Sequence, residues 1–171
     1  MSIVLDGSNV STTGLINSGT AVASTSGTSI TFTGIPSTSK RITVMFGGVS
    51  VSGTSSLRIQ IGSGSVTSSG YTGGTATIAS ASASSTTTGS AGFDLNSQSA
   101  VQTLTAVGSV VLLNISGNQW IASGWISYDT AGQTESINGR VTLSGVLDRV
   151  VVTTVNGTDT FDAGSINILY E

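Results

Sequence analysis

The chain has 171 residues, enough for one domain with a single substantial core. Only 8% of them are charged, against roughly 25% in ordinary soluble proteins, and five basic residues leave a net charge of −3. That is too little positive charge to neutralise a run of phosphates or to hold an anionic bilayer, so neither nucleic acid nor a lipid surface is an expected partner. Cys and His are both absent, which removes the main ligands of zinc, copper, haem and iron–sulfur centres; no cofactor and no metal is expected. No apolar run reaches the length of a membrane span, and MSIVLDGSNV (Met1 to Val10) lacks the basic and long apolar regions of a signal peptide. Ser and Thr make up about a third of the residues, and Val and Ile dominate the apolar ones. β-branched side chains suit a pleated surface better than a helix, and no window sets a charged face against an apolar stripe. Helix content is expected to be close to nil.

Along the chain, residues 1–27 lack strong core-forming runs and read as thin strands with polar turns. Such a segment buries little apolar area alone, which points to pairing with other copies of itself. Alternation then appears in SITFTG (Ser29 to Gly34), where Ile30 and Phe32 share a face, and Pro36 follows where no central ladder needs its missing N–H. RITVMF (Arg41 to Phe46) sets Ile42, Val44 and Phe46 on one side, and LRIQIG (Leu57 to Gly62) does the same with Leu57, Ile59 and Ile61. Residues 63–91 look like low complexity, to be read either as a disordered linker or as exposed strands of small residues. Alternation through Tyr71, Thr75, Thr77 and Ala79 favours strand.

Five further runs follow, at Ser109 to Ile115, Gln119 to Ser127, Gly139 to Gly145, Leu147 to Val155 and Ser165 to Glu171. Gly117-Asn118 predicts a two-residue hairpin turn between the first two, and Asn156-Gly157 gives the same signal after Val155. Period-2 segments at this spacing, with turn residues between them, are the signature of a sandwich or barrel.

Chemistry is constrained by what is missing. Serine nucleophiles need an activating base, and with no His and Lys40 as the one lysine the usual arrangements are nearly excluded. Glycoside hydrolysis needs two carboxylates flanking a substrate, to be sought among Asp94, Asp129, Glu135, Asp148, Asp159 and Asp162. Asp159 and Asp162 flank a turn and read as structural before calcium-binding or catalytic, and Asp148-Arg149 reads as a cross-strand ion-pairing position. Gly62-Ser63-Gly64 precedes no helix and is no phosphate loop.

The nine aromatics bear on sugar binding, in which a ring face stacks on a pyranose. The four phenylalanines fall on apolar faces and read as core. Trp120 and Trp125 lie five apart in one strand and so on opposite faces. Trp120 shares its face with Ala122, Ile126 and Tyr128, Trp125 with Ile121, Ser123 and Ser127. Trp125 then either meets another surface or stacks on a ligand, unless a bulge at Gly124 breaks the parity and buries both. The candidate ligand-binding residues are Trp125, Tyr128, Asp129 and Tyr71; no catalytic and no metal-binding residue is expected.

GIPSTSKRITVMFGGVSVSGTSSLRIQIG (Gly34 to Gly62) resembles a segment of the C-terminal domains of phage tail fibre and tail-associated proteins, with Ile-Pro, a basic pair, Ile-x-Val-x-Phe and Gln-Ile-Gly in order. GNQWIASGWIS (Gly117 to Ser127) and LDRVVVTTVNGTDTFDAGSINILYE (Leu147 to Glu171) are similar to the same family. The resemblance implies an antiparallel, jelly-roll-like β-sandwich tip over residues 27–171, following a β-rich, trimerising shaft remnant at 1–26. It further implies a homotrimeric receptor-binding tip that recognises a bacterial surface polysaccharide or outer-membrane protein without catalysis. Its place would be extracellular, at the end of a virion tail fibre or of a similar bacterial surface fibre. The alternative is a purely structural module that decorates a virion or caps and trimerises a fibre; a depolymerase-type glycosidase ranks behind both.

Overall fold

The computed structural model of the chain describes residues 16–79, 82–87, 89–96, 105–128 and 132–171. In chain order the strands are β1 (Asn17–Ser18), β2 (Val22–Ala23), β3 (Ser29–Thr33), β4 (Arg41–Val51) and β5 (Leu57–Ser63). Next come β6 (Ser65–Val66), β7 (Thr72–Ala79), β8 (Ser82–Thr87), β9 (Phe93–Asp94) and β10 (Ala106–Ser116). The set ends with β11 (Gln119–Tyr128), β12 (Gln133–Thr142), β13 (Arg149–Thr154) and β14 (Phe161–Tyr170). No helix occurs among the described residues, as the shortage of helix-forming surface residues dictates.

The strands form two antiparallel sheets. The larger runs β1-β14-β4-β10-β11-β12-β7-β8 with β2 also on β14; the smaller runs β3-β13-β5-β6 with β9 also on β5. Both contribute to one buried apolar cluster, Val44, Phe46, Val110, Leu112 and Ile126 from the first and Phe32, Ile59, Ile61, Val150 and Val152 from the second. The architecture is an antiparallel β-sandwich. A jelly roll divides eight strands between two sheets, whereas the described residues place nine strands in one sheet, including the β10-β11-β12 meander, and five in the other, so the broader term is the one that describes the fold.

Alternation reads out directly in β4, where Ile42, Val44 and Phe46 are buried and the residues between them are not. Burial then resumes one residue out of phase, at Val49 and Val51. The shift is a bulge: β10 pairs Val107 with Gly47 and Ala106 with Val49, leaving Gly48 as the extra residue at φ 69°. It allows the strand to continue five residues beyond Phe46 while keeping both apolar sets inside.

The low-complexity stretch is strand in large part. β7 pairs with β12 and with β8, Thr75 and Thr77 are buried on its inner side, and Tyr71 is buried just before it. The predicted β10–β11 hairpin forms about Gly117-Asn118, with Ser116 opposite Gln119 and Gly117 at φ 51°, the positive value that the first position of a II′ turn requires. Asn156-Gly157 behaves differently from its hairpin expectation. It connects β13 in the small sheet to β14 in the large one, so its turn is a crossing between layers. Asn156 Oδ1 accepts from the N–H groups of Thr158 and Asp159, closing an Asx turn that needs no partner strand.

Within residues 16–26, the described part of the expected shaft, β1 and β2 pair with β14. Ser24 is fully buried, its hydroxyl donating to the Ala163 carbonyl at 2.7 Å. The boundary expected at residue 26 is therefore not a break in the sheet. Residues 1–15 lie outside the described residues.

Candidate functional site

Of the four expected ligand contacts, the three within the described residues separate: Trp125 faces outward from β11, whereas Tyr128 of the same strand and Tyr71 are buried. β11 pairs with β10 from Ala106↔Tyr128 to Asn114↔Trp120 and with β12 along its whole length, with no shift at Gly124. Parity therefore holds: Trp120, Ala122, Ile126 and Tyr128 are buried, while Trp125 is 53% exposed on the outer face of the large sheet. Gly124 serves another purpose, because a Cβ there would lie 2.4 Å from the Ser109 carbonyl oxygen; it lets two backbones approach closely beneath the tryptophan.

Cross-strand register sets the surroundings of Trp125. Ser109 of β10 and Ser136 of β12 stand directly opposite it, and the same row continues to Met45 of β4 and Ala76 of β7. Two residues along, Ser123 faces Val111 and Asn138; two the other way, Ser127 faces Val107 and Thr134, and its hydroxyl shares a 3.1 Å hydrogen bond with that of Thr134. The indole thus stands on a flat lane of small hydroxylated or aliphatic side chains. An exposed indole offers an apolar ring face and a polar N–H at one place, the amphipathic arrangement that sugar rings and protein surfaces both use.

Next to this lane, β7 opens two adjoining hollows that share Gly73, Gly74 and Asn138. One also reaches Ile121 and Arg140, the other Ser85 and Ser136. Gly73 lies at φ 152°, and a Cβ on it would meet the Asn138 carbonyl oxygen at 2.2 Å. Arg140 stands opposite Ile121 and Thr72, on the outward side of β12, with its Nε donating to the Thr72 hydroxyl at 3.2 Å. Neither Arg140 nor Asn138 figured among the residues expected from sequence. The signal was present in β12, whose buried Ile137 and Val141 force residues 138 and 140 outward.

Tyr71 and Tyr128, two of the expected ligand contacts, are instead core residues, 2% and 3% exposed. The Tyr71 hydroxyl accepts from the Ile61 N–H at 2.9 Å and donates to the Ile61 carbonyl at 3.1 Å, and its ring meets Phe93 edge-on with centroids 4.9 Å apart. Burial pushes its pKa up to about 12, outweighing the Ile61 hydrogen bond and the nearby Arg58. Tyr128 shares the inner parity of Trp120, and burial likewise raises its phenol, with Asn96 nearby offsetting part of the rise. A ring so enclosed has no face to offer a sugar. Asp129 lies outside the described residues.

The remaining carboxylates are engaged within the fold. Asp94 pairs with Arg58 at 2.6 Å and accepts from the Gly89 N–H, fastening the turn that covers the outer side of β5. Asp148 pairs with its own neighbour Arg149 at 2.7 Å, where a cross-strand pair was expected, and also accepts from the Gly64 N–H. The Arg149 hydrogen bond is the main reason its pKa lies below the usual carboxylate value. Asp159 accepts from the Asn156 amide and the Ser55 N–H, which lower its pKa in that order. Asp162 accepts from the Ser50 hydroxyl, and fully buried Glu135 accepts from Thr77 at 2.7 Å. Asp159 and Asp162 thus do separate structural work on either side of Phe161.

Fold and surface together define the chain as an antiparallel β-sandwich with one aromatic-bearing open sheet face. No family model, no curated protein and no solved structure matches it.

Proposed function

We propose that the chain is the receptor-binding tip of a trimeric fibre, engaging a bacterial cell-surface glycan or outer-membrane component without catalysing its conversion. The observation that carries this reading is Trp125, half-exposed in the middle of a broad sheet, between Ser109 and Ser136, with no acidic side chain on the neighbouring outward positions among the described residues. Leaving about half of the indole in water forgoes roughly 1–1.5 kcal/mol of burial free energy, and the exposed ring among hydroxyls is suited to stacking. Affinity per site is low in such a device; three aligned copies raise it through avidity. The sequence strings at 34–62 and 147–171 add support through their resemblance to tail-fibre ends. On this reading the protein works outside the cell, at the tip of a virion or bacterial fibre.

A second reading, a structural module that caps and trimerises a fibre, is favoured by Ile16. That side chain is 65% exposed at the sheet edge where β1 meets β14, an apolar surface suited to contact between copies.

The deciding experiment is binding of the labelled protein to diverse whole bacteria and to a glycan array, beside Trp125→Ala. The variant is expected to keep its thermal midpoint within about a degree or two, since exposed substitutions are nearly neutral, and to lose about tenfold or more in binding. A blank across all cells and glycans, together with a trimer in sedimentation, selects the structural reading; a monomer at micromolar concentration removes the trimer from both.

A further inference from the structure

We propose that the outer face of β11, β12 and β7 binds a carboxylate-bearing polysaccharide, with Trp125 stacking on one sugar and Arg140 pairing with an acidic group further along the same chain. This rests on the glycan-binding reading above and specifies the ligand.

Charge supplies the first ground. The three ion pairs among the described residues occupy Arg41, Arg58 and Arg149. Arg140 takes part in none of them; its hydrogen bond to Thr72 uses Nε and holds the guanidinium against β7. The outward positions of β7, β10, β11 and β12 include no Asp or Glu among the described residues, so no described carboxylate on those positions opposes an anion beside Arg140. A guanidinium presents a planar fork that fits a carboxylate with two charge-assisted hydrogen bonds.

Shape and spacing supply the second. The shallow hollows over Gly73 and Gly74 lie against Asn138 and, in one of them, Arg140, leaving open surface beside the guanidinium. Asn138 stands between the two anchors, offering an amide that both donates and accepts. Arg140 pairs with Ile121, four residues along β11 from Trp125, which separates the anchors by roughly 14 Å at the rise of an antiparallel strand. One sugar ring does not reach across that distance. The occupant is a chain of sugars lying along the strands.

The test uses the full chain on a panel of immobilised uronate-containing bacterial capsular polysaccharides, each beside its carboxyl-reduced neutral form and beside a phosphate-substituted polymer. The acidic form is expected to bind more tightly than its reduced counterpart, and the difference to shrink as salt rises. Arg140→Gln is expected to weaken binding to the acidic form about tenfold, the loss of one charge-assisted contact, leave the neutral form unchanged, and be partly rescued by Arg140→Lys. Trp125→Ala weakens both forms. Equal binding of acidic and reduced polymers, still abolished by Trp125→Ala, overturns the carboxylate proposal while leaving glycan recognition standing. Preference for the phosphate-substituted polymer overturns it as well. Absence of binding to every polymer removes it along with the glycan reading. Dissociation of an oligomer by Arg140→Gln or Trp125→Ala in sedimentation velocity assigns the face to contacts between copies instead.

Discussion

At the scale of single residues, the two hydrogen bonds made by Tyr71 explain why an aromatic in a Ser/Thr/Gly-rich stretch is not a surface residue. The phenol oxygen is the acceptor for the Ile61 N–H, and its proton goes to the Ile61 carbonyl, which also accepts from the Thr67 N–H. Tyr71→Phe keeps the ring against Phe93 but deprives the buried Ile61 N–H of that acceptor, at an expected cost of about 1–3 kcal/mol. Urea unfolding should show a lower midpoint with an unchanged slope. The alkaline limb is a second readout of the same contact. Because burial raises the phenol from 10.0 to about 12, the folded chain holds the proton more tightly than the unfolded one. That contribution is intact below about pH 10 and lost as pH rises towards about 12, and Tyr71→Phe should lack this part of the decline. In the sequence, Tyr71 was already aligned with Thr75 and Thr77, but nothing in those residue types says that the shared face is the inner one. Tyr128 was more legible, since its parity with Trp120 and Ile126 marks it as core. Trp125 was legible as to face and not as to exposure, because a second sheet face can be covered by a neighbour that only tertiary structure reveals.

Strands and turns show the same division between local and non-local information. The β10–β11 hairpin is written into a few adjacent residues: apolar alternation on both sides and Gly117 at the position that needs positive φ. Asn156-Gly157 carries an equally strong local signal, yet its flanking strands enter different sheets, because the partner of β13 is decided by Ile59 and Ile61 far upstream. The bulge at Gly48 was hidden for a related reason. Two glycines in a row announce a weak point in a strand, but which one is extra depends on β10. β7 and β8 are poor in β-branched apolar residues and take their order from pairing with β12. Two glycines in the hairpin separate turn strain from crowding. Gly117 has open space around its Cβ position, so Gly117→Ala is expected to cost about 1–2 kcal/mol through the left-handed backbone alone. Gly124→Ala drives a methyl group to 2.4 Å from the Ser109 carbonyl oxygen and is expected to cost more, about 3 kcal/mol or above, by forcing β10 and β11 apart. Denaturation midpoints of the two variants, measured side by side, check the ranking.

For the molecule as a whole, low charge moves the burden of solubility onto hydroxyl groups and concentrates the pH response in few carboxylates. Asp148 and Asp159 both have folded pKa values below 3.8, held there chiefly by Arg149 and by the Asn156 amide. Their stabilising contribution is present above pH 3.8 and disappears as pH falls through the lowered values. Thermal melts are expected to decline below about pH 4, and the double variant Asp148→Asn with Asp159→Asn should start from a lower midpoint and decline less steeply. Both carboxylates sit at loops joining the two sheets, so acid loosens the ends of the sandwich before its middle. All-β architecture was legible from composition and period alone, because both act at every position. The division into nine and five strands was not, since it depends on pairings between segments distant in sequence, such as β4 with β14.

The seating of β1 and β2 on β14 has a mechanical consequence. Each is two residues long, and each lies at the margin of the large sheet, several strands from Trp125. Tension on the N-terminal side would meet β1 and β2 first, each held by two register positions of β14, whereas β3 beyond them is anchored across five register positions of β13. Residues 17–28, once freed together with buried Ser24, span roughly 40 Å of extended chain before the pull reaches β3. A module held at one end and gripping at the other would yield first in its tether, with its grip still intact.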